Sequence, residues 1–387
     1  MTVIGLGCRL NIAESERIGA MLRNRSDQVV INSCAVTAEA VRHTRRTIRR
    51  ARRDFPDARL LVTGCAAETE RDALAAMPEV DRLVANARKL LPASYGLAIP
   101  QVARPVTRTR AFVAIQNGCD HSCTFCIIPQ GRGPSRSQPV GAVCAEIENH
   151  LAHGTAEIVL TGVDVTSWGA DLPGTPGLGE LVRGILDRFP NLARLRLSSL
   201  DGAEIDPLLF DLIAGEPRVM PHLHLSLQHG HDLILKRMKR RHSRAQAFDL
   251  VARLRGRRPD IAIGADLIAG FPTEAEEHHV ANLSLVRELG IVHGHIFPFS
   301  PRHDTPAARM PQVDPAAGRA RALELREAVA ATRAEWLTSL VGAPLQVLAE
   351  KDGRGYAENY ARVATPGIAP GTIATIIPTK LEDDLLQ

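Results

Sequence analysis

The sequence predicts a mixed α/β protein in three parts: a small parallel-sheet α/β domain, a central partial (β/α) barrel and a small all-β module. Two observations carry this. Short β-branched runs alternate with amphipathic stretches as far as residue 297, and beyond residue 340 the pattern changes to brief runs punctuated by Gly and Pro. A chain of 387 residues, 45% hydrophobic and 23% charged, is long enough for two or three domains and has ordinary globular composition. It holds no eighteen-residue apolar run, and its amino terminus reaches Arg9 and Glu14 without a hydrophobic signal core. A cytoplasmic protein with no membrane partner is therefore expected.

Residues 1–91 form the first expected domain. Apolar runs at 3–6, 29–31 and 60–62 have the length and β-branching of buried strands, and a helical stretch follows each. Each run also ends almost at once in a cysteine: Cys8 after GLG, Cys34 after VINS, Cys65 after LVTG. In a parallel sheet those ends share one edge, the edge where open α/β sheets carry ligands. Gly7 and Gly64, each directly before its cysteine, would let the backbone pass close to a bulky group. Three separately buried thiols is the competing reading.

A Pro-containing linker is expected at 92–105, followed by the barrel at 106–311. Strand candidates at 157–160, 194–197, 222–225, 261–265 and 292–297 alternate with helices near 143–153, 178–189, 205–214, 244–255 and 274–288. Thr161, Asp164, Ser198, Asp201, Gln228 and Asp266 stand at the strand ends, where barrel enzymes place their chemistry. A long helix is expected within 312–340. Residues 341–387 read as the β module, with runs at 344–349, 361–363 and 372–377.

Seven cysteines, an odd number in tight local settings, suit metal or catalysis better than disulfides and fit a reducing compartment. The strongest chemical signal is NGCDHSCTFC, in which Cys119, Cys123 and Cys126 are spaced C-x3-C-x2-C. Thiolates are soft ligands, and three of them in so short a loop suit three irons of a cubane with the fourth left open. A structural zinc site would instead recruit His121 as a fourth ligand. Cys144 belongs to neither set and reads as a packed thiol on a helix.

The spacing, with Phe125 before the third cysteine, resembles the signature of the radical S-adenosylmethionine (SAM) enzymes. The continuation CIIPQGRGPSRS, the upstream GCRLN, NSCAVT and TGCAA, and the later HLHLSLQHG, GADLIAGFPTE and HIFPFSPR together resemble the methylthiotransferases of that superfamily, from residue 3 to about residue 310. The β-rich tail is similar to that family's RNA-binding module. The resemblance implies two 4Fe-4S clusters and SAM as cofactors. Cys119, Cys123 and Cys126 would hold the cluster that reduces SAM, and Cys8, Cys34 and Cys65 an auxiliary cluster carrying the sulfur to be inserted. It also implies a low-potential electron donor and a sulfur source as partners. The protein's share of such chemistry is to aim the cofactors.

Around that core, Thr161 and Gly162, Ser198, Gln228 and Asp266 are candidates for binding SAM or the target, with strand capping as the plain alternative. Arg132 and Arg136 are candidates for a SAM carboxylate or substrate phosphate. Two phrases depart from the family's wording: His229 and His231 replace small hydroxyl residues, and Asp201–Gly202 replaces a glutamate–proline pair. Imidazoles there change volume and titration.

TGVDVTSWG and HIFPFSPR are most similar to the subgroup that modifies carbon 2 of N6-threonylcarbamoyladenosine at position 37 of tRNA. The implied partner is a tRNA anticodon stem-loop. Groups acting on isopentenyladenosine 37 or on a ribosomal-protein aspartate are the alternatives, and a non-catalytic, metal-stabilised RNA-binding protein is the alternative of another class. The formal net charge is only +4, but Arg42, Arg45, Arg46, Arg49, Arg50 and Arg53 crowd one helical segment. Such density suits phosphate contacts, which position RNA without reading it. Lys236, Arg237, Lys239 and Arg240 form a second basic patch. Solvated helical faces are the plain reading of both. Tyr356 and Tyr360 are candidates either to stack on bases or to pack the β module.

Overall fold

A computed structural model describes residues 2–23, 27–97 and 109–387. The first unit is a four-stranded parallel sheet, β1 (Thr2–Gly5), β2 (Gln28–Ser33), β3 (Arg59–Gly64) and β4 (Arg82–Leu83), hydrogen-bonded in that order. Every residue of β2 is buried, as a strand covered on both faces demands. Helices α1 (Arg9–Met21), α2 (Ala38–Asp54), α3 (Cys65–Thr69) and α4 (Arg71–Ala75) make the crossovers. Helix α2 starts at an N-cap, Thr37, whose hydroxyl accepts from the Ala40 N–H, and buries Val41, Thr44, Ile48 and Ala51 on one stripe. Within the expected linker, Pro92–Tyr95 forms a 3-10 turn, and the Tyr95 ring is buried against Ile18, Leu22 and Val30. An aromatic that finds an apolar pocket ties this stretch to the first sheet. Residues 98–105 of the expected linker lie outside the described residues.

The central unit carries two three-stranded parallel sheets, β5 (Arg110–Ala114)–β8 (Glu157–Thr161)–β9 (Arg194–Leu197) and β10 (His222–Gln228)–β11 (Ala262–Ala269)–β12 (Ile291–Pro298). Parallel bridges Leu195–Val219 and Leu200–Leu225 join them into a six-stranded partial barrel. A short antiparallel ribbon, β6 (Gln116–Asn117) with β7 (Arg136–Ser137), pinches the base of the cysteine loop. Inside that loop lies α5 (Ile128–Arg132). Outer helices α6 (Val140–Ala152), α7 (Leu178–Arg188), α8 (Pro207–Gly215), α9 (Asp232–Arg237), α10 (Arg244–Arg257) and α11 (Glu276–Glu288) cover the strands. Cys144 is buried in this core, as a packed thiol.

Helix α12 (Pro315–Ser339), capped by the Asp314 carboxylate, lies along β12 and leads to the last unit. There β13 (Leu345–Ala349), β14 (Arg354–Ala357), β15 (Arg362–Ala364), β16 (Ile373–Ile376), β17 (Leu381–Glu382) and β18 (Leu385–Leu386) form a mixed sheet in the order 16-13-14-15-18-17. Its docking uses two buried arginines, Arg194 and Arg196, and the half-buried Arg110. Arg194 donates to the Gln346 carbonyl, Arg196 to the carbonyls of Ala357 and Glu358, and Arg110 pairs with Glu350. Tyr360 packs beneath the barrel, its ring 3.9 Å from the Arg196 guanidinium carbon and 4.6 Å from the His222 ring. Its ring is therefore committed to packing rather than to a base.

Candidate active site

Strand β1 ends just short of Cys8, β2 just short of Cys34 and β3 just short of Cys65, and parallel register brings these ends to one edge. The three cysteines line a single cavity of about 340 Å³. The backbone is shaped to admit them. Gly7 has φ +95°, and a Cβ there would stand 2.8 Å from both the Cβ and Sγ of Cys34. Across the cavity, α5 passes so near Cys65 that a Cβ on Gly131 would stand 3.3 Å from the Cys65 Cβ.

Cys119, Cys123 and Cys126 line a second cavity of about 160 Å³, together with Asp164, Ser199, Asp201, Ser226 and Arg240. Phe125, Ile128, Val163 and Gln228 line both cavities, so the two cysteine sets face a common wall. Gln228 ends β10 with φ +66°, a conformation that a non-glycine residue holds only when its surroundings impose it. Burial pushes the Cys119 thiol up to about 12 and the Cys34 and Cys126 thiols up to about 11, and it raises Cys65 as well. Buried thiols become thiolates only when a cation takes the proton's place.

The donor chemistry fits iron–sulfur clusters. Each cavity offers three soft thiol ligands and an open side, which suits a cubane whose fourth iron takes an external ligand. His121 does approach Cys119 as a zinc ligand would, but its Nε2 is 2.7 Å from the Asp164 carboxylate and 2.8 Å from an Arg241 nitrogen. It belongs to a polar rim with Glu204 and Asp201 rather than completing a four-ligand set.

Of the weaker candidates, Gly162 and Asp266 line the Cys8–Cys34–Cys65 cavity, and Gln228 lines both. Thr161 and Ser198 line neither: both are buried in the ladder, Thr161 O accepting from the Ile115 N–H and Ser198 N donating to Leu160. Side chains alternate across a strand, so the neighbouring Ser199 is the one that faces inward. Ser199 Oγ lies 2.8 Å from Ser226 Oγ and donates to Asp266 at 3.0 Å. Asp266 also holds His295 Nδ1 at 3.0 Å and His224 Nε2 at 3.2 Å. Burial opposes its charge, yet the two imidazoles hold its carboxyl well below the usual range. Ser226 and His224 are readable by placing the strand's inner face, which the run HLHLSLQ marks at alternate positions, whereas Ser199 and His295 stand outside that run.

Arg132 does not face the cavity of Cys119. Its guanidinium is buried beside Cys8, Cys34 and Cys65, gripped by Glu14 and Asn11, because α5 turns it back toward α1. Arg136 lines neither cavity; it folds onto the carbonyls of Arg132 and Pro134. In the second basic patch, Arg240 turns inward, its side chain 7% exposed, bonding Asp201 and lying 3.6 Å from Cys123 Sγ, and Arg237 bonds Thr273. Arg240 reaches inward to the buried Asp201 carboxylate, whereas Arg237 is held by the Thr273 hydroxyl and carbonyl. Lys236 and Lys239 stay exposed. On α2, acidic neighbours already meet much of the arginine charge: Glu39 with Arg42 and Arg46, Glu70 with Arg45, Glu79 with Arg49, Asp54 with Arg50. The side chains of Arg42, Arg46, Arg49 and Arg50 nonetheless remain more than half exposed. His229 is buried against Glu274, so that departure from the family's wording is absorbed by packing. Asp201, the other departure, binds Arg240 and Arg241.

Residues 113–286 match the radical SAM superfamily, and residues 1–85 match the uncharacterized protein family UPF0004. A threonylcarbamoyladenosine tRNA methylthiotransferase MtaB of Rickettsia prowazekii (strain Madrid E) is 41% identical over 379 residues, covering 93% of this chain and 90% of that protein. A tRNA-2-methylthio-N(6)-dimethylallyladenosine synthase of Paracoccus denitrificans (strain Pd 1222) is 33% identical, covering 90% of this chain and 85% of that one. Among solved structures, the radical SAM methyltransferase TsrM from Kitasatospora setae aligns with a TM-score of 0.55 at 18% identity, over 75% of this chain and 66% of that chain, a likeness of fold alone. With two adjoining three-cysteine cavities and relatives that match it almost end to end, the chain belongs to the radical SAM methylthiotransferase family.

Proposed function

We propose that this enzyme adds a methylthio group to carbon 2 of N6-threonylcarbamoyladenosine at position 37 of tRNA. The observation that carries the reading is the shared wall of the two cysteine cavities, which lets a reactive group made on one side meet sulfur held on the other. The substrate follows from the similarity to MtaB proteins, 41% in Rickettsia prowazekii and 29% over 97% of this chain in Bacillus subtilis. The cofactors of the family are two 4Fe-4S clusters and SAM.

Cys119, Cys123 and Cys126 would hold the cluster that cleaves SAM, and Cys8, Cys34 and Cys65 the auxiliary one. When bound, these groups supply the electron, the radical and the sulfur. The chain supplies placement. Ser199, Ser226, Asp201 and Gln228 offer hydroxyl, carboxylate and amide groups to SAM's polar parts, and Phe125, Ile128 and Val163 keep the shared wall apolar so that water does not quench a radical. The exposed arginines of α2 would grip RNA phosphates, and Lys236 and Lys239 extend that surface. Residues 1–91, 106–311, 312–340 and 341–387 would act as four parts of one body. A low-potential electron donor, a sulfur source and the cytoplasm complete the setting. Among the described residues no helix is long and apolar enough to cross a membrane.

Mass analysis of nucleosides tests this reading, using tRNA pools that carry either threonylcarbamoyl- or isopentenyladenosine, incubated anaerobically with the reconstituted enzyme, reductant, SAM and sulfide. The expected methylthio gain is confined to the threonylcarbamoyl nucleoside. Gain confined to the isopentenyl nucleoside overturns the substrate.

A further inference from the structure

Behind the cavity of Cys8, Cys34 and Cys65 lies a buried charge cluster that ligation does not require. Glu14 and Lys89 are each 1% exposed and Arg132 is 5% exposed. Lys89 Nζ is 2.5 Å from Glu14 Oε2, and Arg132 donates to Glu14 Oε1 at 2.9 Å and Oε2 at 3.2 Å. Burial works to raise the Glu14 carboxyl, but Lys89 and Arg132 overrule it and hold it below the ordinary range. Burial lowers the Lys89 ammonium below its ordinary value, with the Glu14 carboxylate opposing that shift; with both cations charged, two of them against one carboxylate leave one positive charge in a region where an unbalanced charge is costly unless an anion faces it. Arg132 lines the same cavity as the three thiols.

Arg132 also bridges the two sites. It donates to Asn11, three residues beyond Cys8, and at 2.8 Å to Asn117, two residues before Cys119. Asn11 in turn donates to the Ser33 carbonyl beside Cys34, and Asn86 donates to Gly131 beside Arg132 itself.

We infer that Glu14, Lys89 and Arg132 are positioning residues whose single surplus positive charge sets the reduction potential of the auxiliary cluster. The inference rests on the assignment of Cys8, Cys34 and Cys65 to that cluster. A nearby cation stabilises the reduced, more negative state, and net charge and hydrogen bonding around a cluster are what tune it. Lys89→Met removes the surplus charge, and Glu14→Gln doubles it. The two variants therefore push the potential in opposite directions, which damage to packing alone does not do.

The experiment is an anaerobic redox titration followed by electron paramagnetic resonance, on the full chain in which Cys119, Cys123 and Cys126 are alanine, so that only the auxiliary cluster reports. Iron per chain and a circular dichroism melt accompany each variant, and Lys89→Arg is the charge-retaining control. Lys89→Met should move the midpoint to more negative potential, Glu14→Gln to more positive, and Lys89→Arg should restore the parent value. Shifts of the same sign, no shift with the cluster intact, or iron loss in Lys89→Met that Lys89→Arg does not repair overturn it. Failure of the parent chain to take up auxiliary iron refutes the cluster assignment, and the inference with it.

Discussion

Replacing Gly7 by alanine isolates the geometry of one cysteine site while leaving every ligand in place. The backbone at Gly7 has φ +95°, and the added methyl would stand 2.8 Å from the Cys34 Sγ. A non-glycine residue in the left-handed region costs about 1–2 kcal/mol, and relieving the contact requires Cys34 to swing away from the cavity. A combined penalty of at least about 2 kcal/mol corresponds to roughly a 30-fold loss of the ligating arrangement. The assay is iron per chain after anaerobic reconstitution, paired with 5'-deoxyadenosine release. Two cubanes hold about eight irons. The variant should retain about half of them and still cleave SAM, because the Cys119 loop lies in another unit. Full iron in Gly7→Ala would refute the argument that this glycine exists to let the thiol in. Gly118→Ala makes the reciprocal test. Gly118 has φ +79°, its Cβ would strike the Pro134 carbonyl, and SAM cleavage should be the activity lost.

Glu157 is fully buried at the base of the barrel among Arg110, Arg196 and Arg194, at 3.0, 2.9 and 3.7 Å, and Glu157→Ala leaves Arg194 and Arg196 without their carboxylate partner and Arg110 with Glu350 alone. A loss of about 3–5 kcal/mol is expected in urea unfolding; a change under about 1 kcal/mol would show that the arginines are satisfied by the β module alone. Burial works against the Asp201 carboxylate, but Arg240, the Ala203 N–H and Arg241 hold it below its ordinary value. Its contribution is therefore fully present above the unfolded value of about 3.9 and is lost as pH falls through the lower folded value. Asp201→Asn should flatten the fall in stability on acidification, and an unchanged slope contradicts the assignment. Substituting Arg49, Arg50 and Arg53 by glutamine should weaken tRNA binding and lower the salt dependence by roughly one unit per lost phosphate contact. Arg52→Gln should act on stability instead, since Arg52 bonds Asp81 and the carbonyls of Glu79 and Ala58.

The elements that converge on the site were legible because their signals are local. A β-branched run ending in a cysteine occurs three times, parallel register carries those three ends to one edge, and the C-x3-C-x2-C loop marks itself as a set of thiol ligands. What escaped depends on direction. Ser198 and Ser199 are adjacent hydroxyls, and only the pleat decides that Ser199 meets Asp266. Arg132 stands in a loop that reads as facing SAM, yet a five-residue helix turns it toward Glu14, whose partner Lys89 lies 75 residues further along the chain. The arginines of α2 and of the patch at 236–240 look alike in sequence, but exposure separates them, with Arg240 beside Cys123 and Arg50 in solvent. Tyr360 is drawn under the barrel by Arg196, a contact made across 164 residues that no local pattern announces.

The central claim is a division of labour between two adjoining cysteine sets, and one comparison tests it most directly. Two full-length variants, one with Cys8, Cys34 and Cys65 replaced by alanine and one with Cys119, Cys123 and Cys126 replaced, are reconstituted anaerobically and given SAM, reductant, sulfide and threonylcarbamoyl-bearing tRNA. 5'-Deoxyadenosine and methylthiolated nucleoside are then quantified by mass. The first variant should release 5'-deoxyadenosine and make no methylthio nucleoside, and the second should make neither. Methylthio nucleoside formed without Cys8, Cys34 and Cys65 would contradict the account.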